Sequence, residues 1–272
     1  MLENGLKASW ARGEATLNGW LSIGNAFTAE IMAAQGFDSL TVDVQHGALD
    51  YADMLGMFQA MRASGVTPMA RVPWLEPGII MKSLDAGAFG IICPMVNSRA
   101  EAEHLVSCMR YPPVGSRSFG PTRANFSAGA GYADGANDQI LAIAMIETAE
   151  ALENLEDIVS TPGLDGVYVG PADLALGATQ GRLRPGLDRE EDEMITRIQS
   201  VLSAAKSAGL RAGIHCGSPD YAARAIGWGY DFVSLSNDVR MLAAAAASAV
   251  DQTRQLLGQG QTADDPNASG GY

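Results

Sequence analysis

Short apolar segments rich in β-branched residues recur about every 25 to 35 residues along the chain, and amphipathic stretches separate them. This alternation of strand and helix is typical of a parallel sheet. The eight segments are TLNGWLSI (16–23), SLTVDV (39–44), TPMARV (67–72), FGIICPMV (89–96), ILAIAMIE (140–147), GVYVG (166–170), RAGIHC (211–216) and FVSLS (232–236). Helices are predicted near 50–64, 76–86, 98–109, 148–159, 188–208, 218–227 and 238–257. Eight strands with intervening helices favour an α/β fold of the closed (β/α)₈ barrel type over an open doubly wound sheet.

The length of 272 residues suits one such barrel, which needs about 250 residues. We therefore predict a single domain over 1–257 and, because residues 258–272 lack apolar periodicity, a disordered C-terminal tail. Five glycines follow helical stretches, where a left-handed C-cap is expected: Gly36, Gly65, Gly87, Gly209 and Gly229. The segment 111–138 is rich in Gly, Pro, Ser and Asn and too long for an idle connection, so it is predicted to be a functional loop over one end of the barrel.

Composition and charge exclude several classes of protein. Hydrophobic residues make up 47% of the chain, no apolar run approaches the length of a membrane span, and the first 20 residues do not resemble a secretion signal. A soluble cytoplasmic protein with no membrane partner is expected. The net charge of −13 argues against a nucleic-acid partner. Three cysteines without a CxxC pair argue against disulfides and thiolate zinc, so any metal would bind oxygen or nitrogen.

In (β/α)₈ enzymes the active site lies at the C-terminal ends of the strands, so polar residues that end the apolar segments are the candidates. Glu147 ends one strand, and Asp173 follows the next strand along the chain. Two neighbouring carboxylates repel one another unless a cation or a proton intervenes, and a hard divalent ion binds such a pair. The alternative is structural, with Glu147 and Asp173 serving as helix caps.

Three further strand ends carry Trp20, His46 and Arg71. His46 is a candidate general base or metal ligand, because imidazole changes charge near neutral pH; the alternative is a merely hydrogen-bonded histidine. A buried Arg71 needs an anion, which is either a substrate carboxylate or developing enolate, or else Glu147 or Asp173.

Two other histidines and one strand-to-helix turn complete the candidates. His104 and His215 are interpreted as structural residues, with a third metal ligand as the less favoured reading of His215. The GPAD turn at 170–173 offers backbone N–H groups, among them those of Ala172 and Asp173, that suit an anion.

Six motifs occur in order along the chain: D-x-x-H…D at 43–50, ARVPW around Arg71, KSLDAGA with Asp85, YPPxGxR at 111–117, IET at 146–148 and VGPADL at 169–174. Over roughly residues 15–257 this set resembles the HpcH/HpaI class II hydroxyketoacid (pyruvate) aldolase family. The resemblance implies a barrel of the phosphoenolpyruvate/pyruvate type and reversible aldol chemistry between the enolate of pyruvate, or hydroxypyruvate, and an aldehyde. It also implies a homo-oligomer, a hexamer, to which the Ala-rich helix near 240–252 could contribute.

The resemblance also implies site residues. Glu147 and Asp173 would hold Mg²⁺, Mn²⁺ or Co²⁺, and His46 would be the base, oriented by Asp85. Arg71 would stabilise the enolate, the backbone of Ala172 and Asp173 would bind the donor carboxylate, and Trp20 would contact the substrate.

Two positions depart from the family pattern. Met145 replaces a frequent Gln, and Gln45 replaces a frequent acidic residue, which affects the expected donor preference more than the reaction class.

Other functions remain open at this point. One is another metal-enolate lyase of the same barrel group, and a second is a non-catalytic keto-acid binding protein. A Schiff-base aldolase would need a lysine at a strand end, whereas Lys7 precedes the barrel and Lys82 and Lys206 lie in predicted helices.

Overall fold

The computed structural model describes residues 1–258, and its central feature is a closed barrel of eight parallel strands. Each strand pairs with its neighbours in sequence, and the eighth pairs with the first. The strands are β1 (Thr16–Leu21), β2 (Ser39–Asp43), β3 (Thr67–Arg71), β4 (Gly90–Cys93), β5 (Leu141–Ile146), β6 (Gly166–Val169), β7 (Arg211–Cys216) and β8 (Phe232–Leu235). The predicted (β/α)₈ barrel is confirmed.

Helices surround the barrel, and all seven predicted helical regions contain helix, although 148–159 divides into two short helices. The helices are α1 (Gly5–Ala11), α2 (Ala26–Ala33), α3 (Tyr51–Met61), α4 (Pro77–Ala86), α5 (Arg99–Met109), α6 (Ala124–Ser127), α7 (Tyr132–Gln139), α8 (Ala149–Glu153), α9 (Leu155–Val159), α10 (Pro171–Ala178), α11 (Asp192–Ser207), α12 (Pro219–Trp228) and α13 (Asp238–Leu256). The pattern missed α2 because its sequence AFTAEIMA is apolar on most sides and shows no stripe.

The core has two layers. The larger lies between strands and helices, and the smaller fills the barrel interior, where Trp20, Met145 and Tyr168 pack with Leu6 and Trp10 from α1. Because α1 packs into the N-terminal end of the barrel, only the C-terminal end of the interior is left open. The glycine caps form as predicted; Gly87 and Gly229, for example, end α4 and α12 with φ of 111° and 112°.

The long segment 111–138 lies at the N-terminal end of the barrel. The Ala128 carbonyl in this segment accepts a hydrogen bond from the N–H of Leu2 at 2.7 Å. Arg123 donates to the carbonyls of Phe58 and Ala86, which lie in the last turns of α3 and α4. The segment therefore covers one end of the barrel, as predicted, although it includes α6 and α7. That end is opposite the strand termini that carry the candidate residues, and a functional role for the segment stays a prediction.

Apart from Gly258, the predicted tail (258–272) lies outside the described residues. Within residues 1–258 no helix is both long and apolar enough to cross a membrane.

Candidate active site

A cavity of about 590 Å³ opens at the C-terminal ends of the strands. The sequence-predicted residues that it brings together lie at or just after the ends of four strands, with Ala172 and Asp173 both following β6. They are Trp20, His46, Arg71, Ala172 and Asp173. Glu147 follows β5 at the same end of the barrel, beside the lining residue Gly170.

Glu147 is 2% exposed, and a backbone N–H group fixes one of its two carboxylate oxygens. Its Oε1 accepts a hydrogen bond from the Met95 N–H at 2.9 Å, whereas its Oε2 is buried without a partner in the described chain. Burial raises the pKa of Glu147 to about 7, against the hydrogen bond from Met95, and the negative charge of Asp173 acts in the same upward direction. A buried carboxylate oxygen without a donor is costly, so the site as it stands favours a cation or a proton.

The capping alternative for this pair is wrong. Thr148, not Glu147, caps α8, since its hydroxyl accepts from the Ala151 N–H at 2.9 Å. Helix α10 has Gly170 at its N-cap, and Asp173 lies inside the first turn. Neither carboxylate is used to begin a helix.

The two carboxylates fit a hard divalent ion. Carboxylate oxygens are the ligands that Mg²⁺ and Mn²⁺ prefer, and Mg²⁺ commonly uses one or two of them with substrate oxygens and water completing its shell. No group of three or more potential ligands occurs among residues 1–258. The absence of a Cβ at Gly170 leaves room for this arrangement, because a Cβ there would overlap Glu147 Oε2.

Arg71 does not pair with Glu147 or Asp173, as the structural alternative proposed, but with Asp43. Strands β2 and β3 place Asp43 and Arg71 in register, and the guanidinium binds the carboxylate through Nε at 2.9 Å and Nη2 at 2.6 Å. The Trp20 indole N–H also donates to Asp43 Oδ2, at 3.1 Å. Burial would raise the pKa of Asp43, but the charge and hydrogen bonds of Arg71 outweigh it and the net shift is downward. Asp43 thus stays ionised and fixes both Arg71 and the Trp20 ring, which lies 4.8 Å from the guanidinium carbon.

This pairing leaves Arg71 Nη1 without a hydrogen-bond partner in the described chain, in a side chain that lines the cavity. The nitrogen is therefore available to an anionic oxygen of a ligand. Across the cavity, the first N–H of α10 belongs to Ala172, because Pro171 has none. His46 is exposed at the rim, and its backbone N–H donates to Asp43 Oδ1 at 3.2 Å.

Asp85 does not line this cavity, so it does not orient the His46 of its own chain. It lies in the last turn of α4, and in a βα unit the helix runs antiparallel to its strand, so helix ends lie at the opposite end of the barrel. There Asp85 pairs with Arg117 at 2.6 Å, and Arg117 also donates to the Tyr132 hydroxyl.

Two residues that shape the site, Asp43 and His215, were not predicted from the sequence to act in it. Asp43 was noted beside His46 but not linked to Arg71, although opposite charges at the ends of adjacent strands were a usable signal. His215, interpreted as structural, lines the cavity. The three lysines lie in α1, α4 and α11 and do not line the cavity, which leaves no Schiff-base lysine there.

The sequence profile of the HpcH/HpaI aldolase/citrate lyase family matches residues 18–245. The chain belongs to this family. Its sequence is 42% identical to the hydroxypyruvate/pyruvate aldolase of Rhizorhabdus wittichii, over 93% of this chain and 100% of that protein. It is 37% identical to the hydroxypyruvate/pyruvate aldolase of Agrobacterium fabrum, over 87% of this chain and 88% of that one.

The structure of an HpcH/HpaI aldolase/citrate lyase family protein from Burkholderia cenocepacia superimposes with a TM-score of 0.84 at 32% identity, covering 92% of this chain and 99% of that chain. The resemblance found in the six motifs is confirmed. This HpcH/HpaI family member is an enzyme of the carbon–carbon lyase class, and the reading as a non-catalytic binding protein is not favoured.

Proposed function

We propose that the protein catalyses reversible aldol addition and cleavage between the enolate of pyruvate or hydroxypyruvate and an aldehyde, giving a 4-hydroxy-2-oxo acid. The observation that carries the proposal is the buried Glu147 Oε2, which has no partner within residues 1–258 and lies within reach of the Asp173 charge. Asp173 and Arg71 line the cavity at the same end of the barrel, and Arg71 Nη1 also has no hydrogen-bond partner in those residues. A 2-oxo acid has adjacent keto and carboxylate oxygens that suit this arrangement. The names of the two relatives agree with such a donor.

Glu147 and Asp173 would hold a divalent ion, Mg²⁺, Mn²⁺ or Co²⁺. When bound, the ion would supply Lewis-acid polarisation of the donor keto group. Arg71, held in place by Asp43, would donate from Nη1 to the oxygen on which enolate charge develops. The N–H groups at the start of α10, with Ala172 first, would bind the donor carboxylate. The Trp20 ring would form the wall against which the donor lies.

His46 would move the proton. In cleavage, it accepts the proton of the C4 hydroxyl as the C3–C4 bond breaks; the bonding electrons pass to the enolate, and the aldehyde leaves. In the reverse reaction, aldol addition, the same imidazole returns the proton to the new alkoxide. Its position at the rim is consistent with a contact to the acceptor half of the substrate.

A panel of aldehydes assayed with pyruvate and with hydroxypyruvate, with and without EDTA, tests the proposal. We expect chelation to abolish aldol cleavage and Mg²⁺, Mn²⁺ or Co²⁺ to restore it. Exchange of the methyl protons of pyruvate in the absence of aldehyde separates an enzyme from a mere binder. Full activity of the metal-free protein would contradict the metal assignment, and modification by borohydride in the presence of pyruvate would favour a Schiff base.

The protein is further proposed to be a homo-oligomer, a hexamer, in which Asp85 acts on His46 of a neighbouring copy. Asp85 and the 111–138 segment lie at the end of the barrel opposite their own cavity, so only a second copy can bring Asp85 to a His46. The segment also exposes large apolar side chains, with Phe119 68% and Phe126 75% exposed, which fits burial against another chain.

Mixed assemblies test this contact. His46→Ala and Asp85→Asn should each be inactive alone, and activity should return when the two variants are dissociated, mixed and reassembled, because some cavities then receive both native residues. If the mixture stays as inactive as its parts while wild type survives the same treatment, Asp85 does not act across subunits. Cytoplasmic location and the absence of a nucleic-acid partner stay predictions from the sequence.

A further inference from the structure

His215, at the end of β7, has a ring whose orientation is fixed by two neighbours. The ring centroid lies 4.7 Å from that of Trp20, and Nε2 lies 3.0 Å from the carbonyl oxygen of Ser236. Ser236 itself adopts a positive φ of 51°, unusual for a residue with a side chain, and its N–H donates to the Cys216 carbonyl. An uncommon backbone conformation is thus maintained at the residue whose carbonyl receives the imidazole.

These contacts determine which ring nitrogen carries hydrogen. A backbone carbonyl can only accept, so Nε2 must be the protonated nitrogen. Burial and the positive charge of Arg71 lower the pKa of His215 to about 4, against the opposing effect of Asp43, so the ring is neutral at physiological pH. In a neutral ring with hydrogen on Nε2, the other nitrogen, Nδ1, presents a lone pair.

Nδ1 has no hydrogen-bond partner within residues 1–258, and it is not among the atoms sealed from solvent without a partner. The side chain lines the cavity, so this lone pair is directed to whatever the cavity contains. Two polar groups near it are already engaged: the Trp20 N–H binds Asp43, and Tyr168 donates its hydroxyl to Ser234 at 2.6 Å. His215 is therefore a pre-oriented acceptor that cannot donate into the cavity.

We propose that Nδ1 of His215 accepts a hydrogen bond from a hydroxyl group of the substrate, which makes His215 a specificity-determining residue for hydroxylated substrates. The inference rests on the proposed aldol function and deepens it. The hydroxyl can come from two sources: C3 of a hydroxypyruvate donor, or the carbon next to the carbonyl of a hydroxyaldehyde acceptor. A methyl group in the same place offers no donor, so a substrate without the hydroxyl leaves Nδ1 unpaired and is disfavoured.

Kinetics with four substrate pairs separate the two sources. Pyruvate and hydroxypyruvate are each combined with acetaldehyde and with glycolaldehyde, for wild type, His215→Phe and His215→Asn. Phe keeps a ring of similar size without an acceptor, and Asn places an amide oxygen near the position of Nδ1. We expect His215→Phe to lower kcat/KM by about tenfold or more for the pairs that carry the recognised hydroxyl, with the pyruvate and acetaldehyde pair changed by less than about threefold. Asn should restore part of the loss.

A loss that follows hydroxypyruvate whatever the aldehyde assigns the contact to the donor, and a loss that follows glycolaldehyde assigns it to the acceptor. Equal losses with all four pairs, or none, would overturn the proposal.

A second measurement does not require turnover, so it stands even if the aldol function fails. In protein labelled with ¹⁵N-histidine, the Nδ1 signal that is absent in His215→Phe should shift when hydroxypyruvate or glycolaldehyde is added, and not when pyruvate or acetaldehyde is added. The absence of a selective shift, or a spectrum that shows hydrogen on Nδ1, would refute the role of His215 independently of the kinetics.

Discussion

Two residues in an uncommon backbone conformation hold the functional groups of the site. Met95 (φ 55°) directs its N–H to Glu147 Oε1, and Ser236 (φ 51°) directs its carbonyl to His215. A left-handed conformation in a residue with a side chain costs on the order of 1–3 kcal/mol. Met95 lies two residues after β4 and Ser236 directly after β8, and each orients a side chain at the C-terminal end of the barrel. This indicates that local stability is exchanged for fixed geometry.

At the residue scale, the first prediction concerns Arg71. Lysine keeps the charge but cannot bind Asp43 through two nitrogens and still present a third to the substrate. We expect Arg71→Lys to lower both pyruvate proton exchange and aldol cleavage by about 10²-fold, since both pass through the same enolate. Saturating Mn²⁺ should not restore the rates.

Arg110→Lys is the matched control, because Arg110 is also buried and binds Asp165 at 2.6 Å. It should lower the free energy of unfolding without a comparable loss of exchange. If Mn²⁺ returns Arg71→Lys to wild-type exchange, Arg71 serves only the electrostatics of the metal site.

A second prediction at this scale is that stability depends on pH, because the pKa of His215 is lowered in the folded protein. Its pKa is about 4 in the folded protein, whereas imidazole in an unfolded chain titrates near about 6.5. Between these values the unfolded chain binds more protons, so the free energy of unfolding falls as the pH drops from 6.5 towards 4, by up to about 3 kcal/mol from this group. In urea unfolding, His215→Phe should lose less stability than wild type over this interval, while His104→Gln, at an exposed histidine, should behave as wild type. Identical slopes for all three proteins would be evidence against a half-buried ring that stays neutral in the folded protein.

At the scale of elements, the junction between β6 and α10 decides whether Glu147 and Asp173 can approach each other. Helix α10 begins almost directly after β6, with Gly170 as the one residue between them, so Asp173 in the first turn stays near the strand end. Gly170 is here for space and not for backbone freedom, since its φ of −97° is accessible to any residue. The Glu147 carboxylate occupies the space that a Cβ at residue 170 would fill.

Gly170→Ala should therefore displace Glu147, and its Cβ would also lie 2.9 Å from the Met145 Cε. We expect Mn²⁺ affinity, measured by calorimetry, to fall about 10- to 100-fold, as is usual when the support of a metal ligand is disturbed. Gly56→Ala in α3 is the control, because its added Cβ meets nothing closer than 4.0 Å and alanine favours the helix. Unchanged Mn²⁺ binding in Gly170→Ala would mean that Glu147 is not a ligand.

At the scale of the whole molecule, α13 packs only its beginning against the described part of the chain. Of its 19 residues only Asp238 is buried in the described chain, whereas Leu242 is 63% and Val250 47% exposed. Helices in water depend on tertiary packing for most of their stability. The small residues of AAAAASA within this helix would allow close approach of another helix or barrel, as the sequence suggested.

Leu242→Glu combined with Val250→Glu should therefore reduce the mass measured by light scattering at micromolar protein, because charges would be buried in the proposed subunit interface. Gln252→Glu with Gln255→Glu adds the same charge at polar positions of α13 and should leave the assembly intact. A wild-type protein that is monomeric in this measurement would remove the basis for both the interface and the contribution of Asp85 to a neighbouring cavity.

The sequence by itself determined the barrel, because alternating apolar runs and amphipathic stretches are local patterns and eight of them close in only a few ways. It also placed Glu147 and Asp173 near each other, since residues that end adjacent parallel strands share one end of the sheet. Only the tertiary structure decided which charges pair. Arg71 binds Asp43 because the register of β2 and β3 sets them side by side, and Asp85 lies at the far end because the α4 helix returns along the barrel. Spacing along a chain fixes neither the register of two strands nor the direction of a distant side chain. The orientation of the His215 ring depends on the Ser236 carbonyl, which only the fold brings beside it.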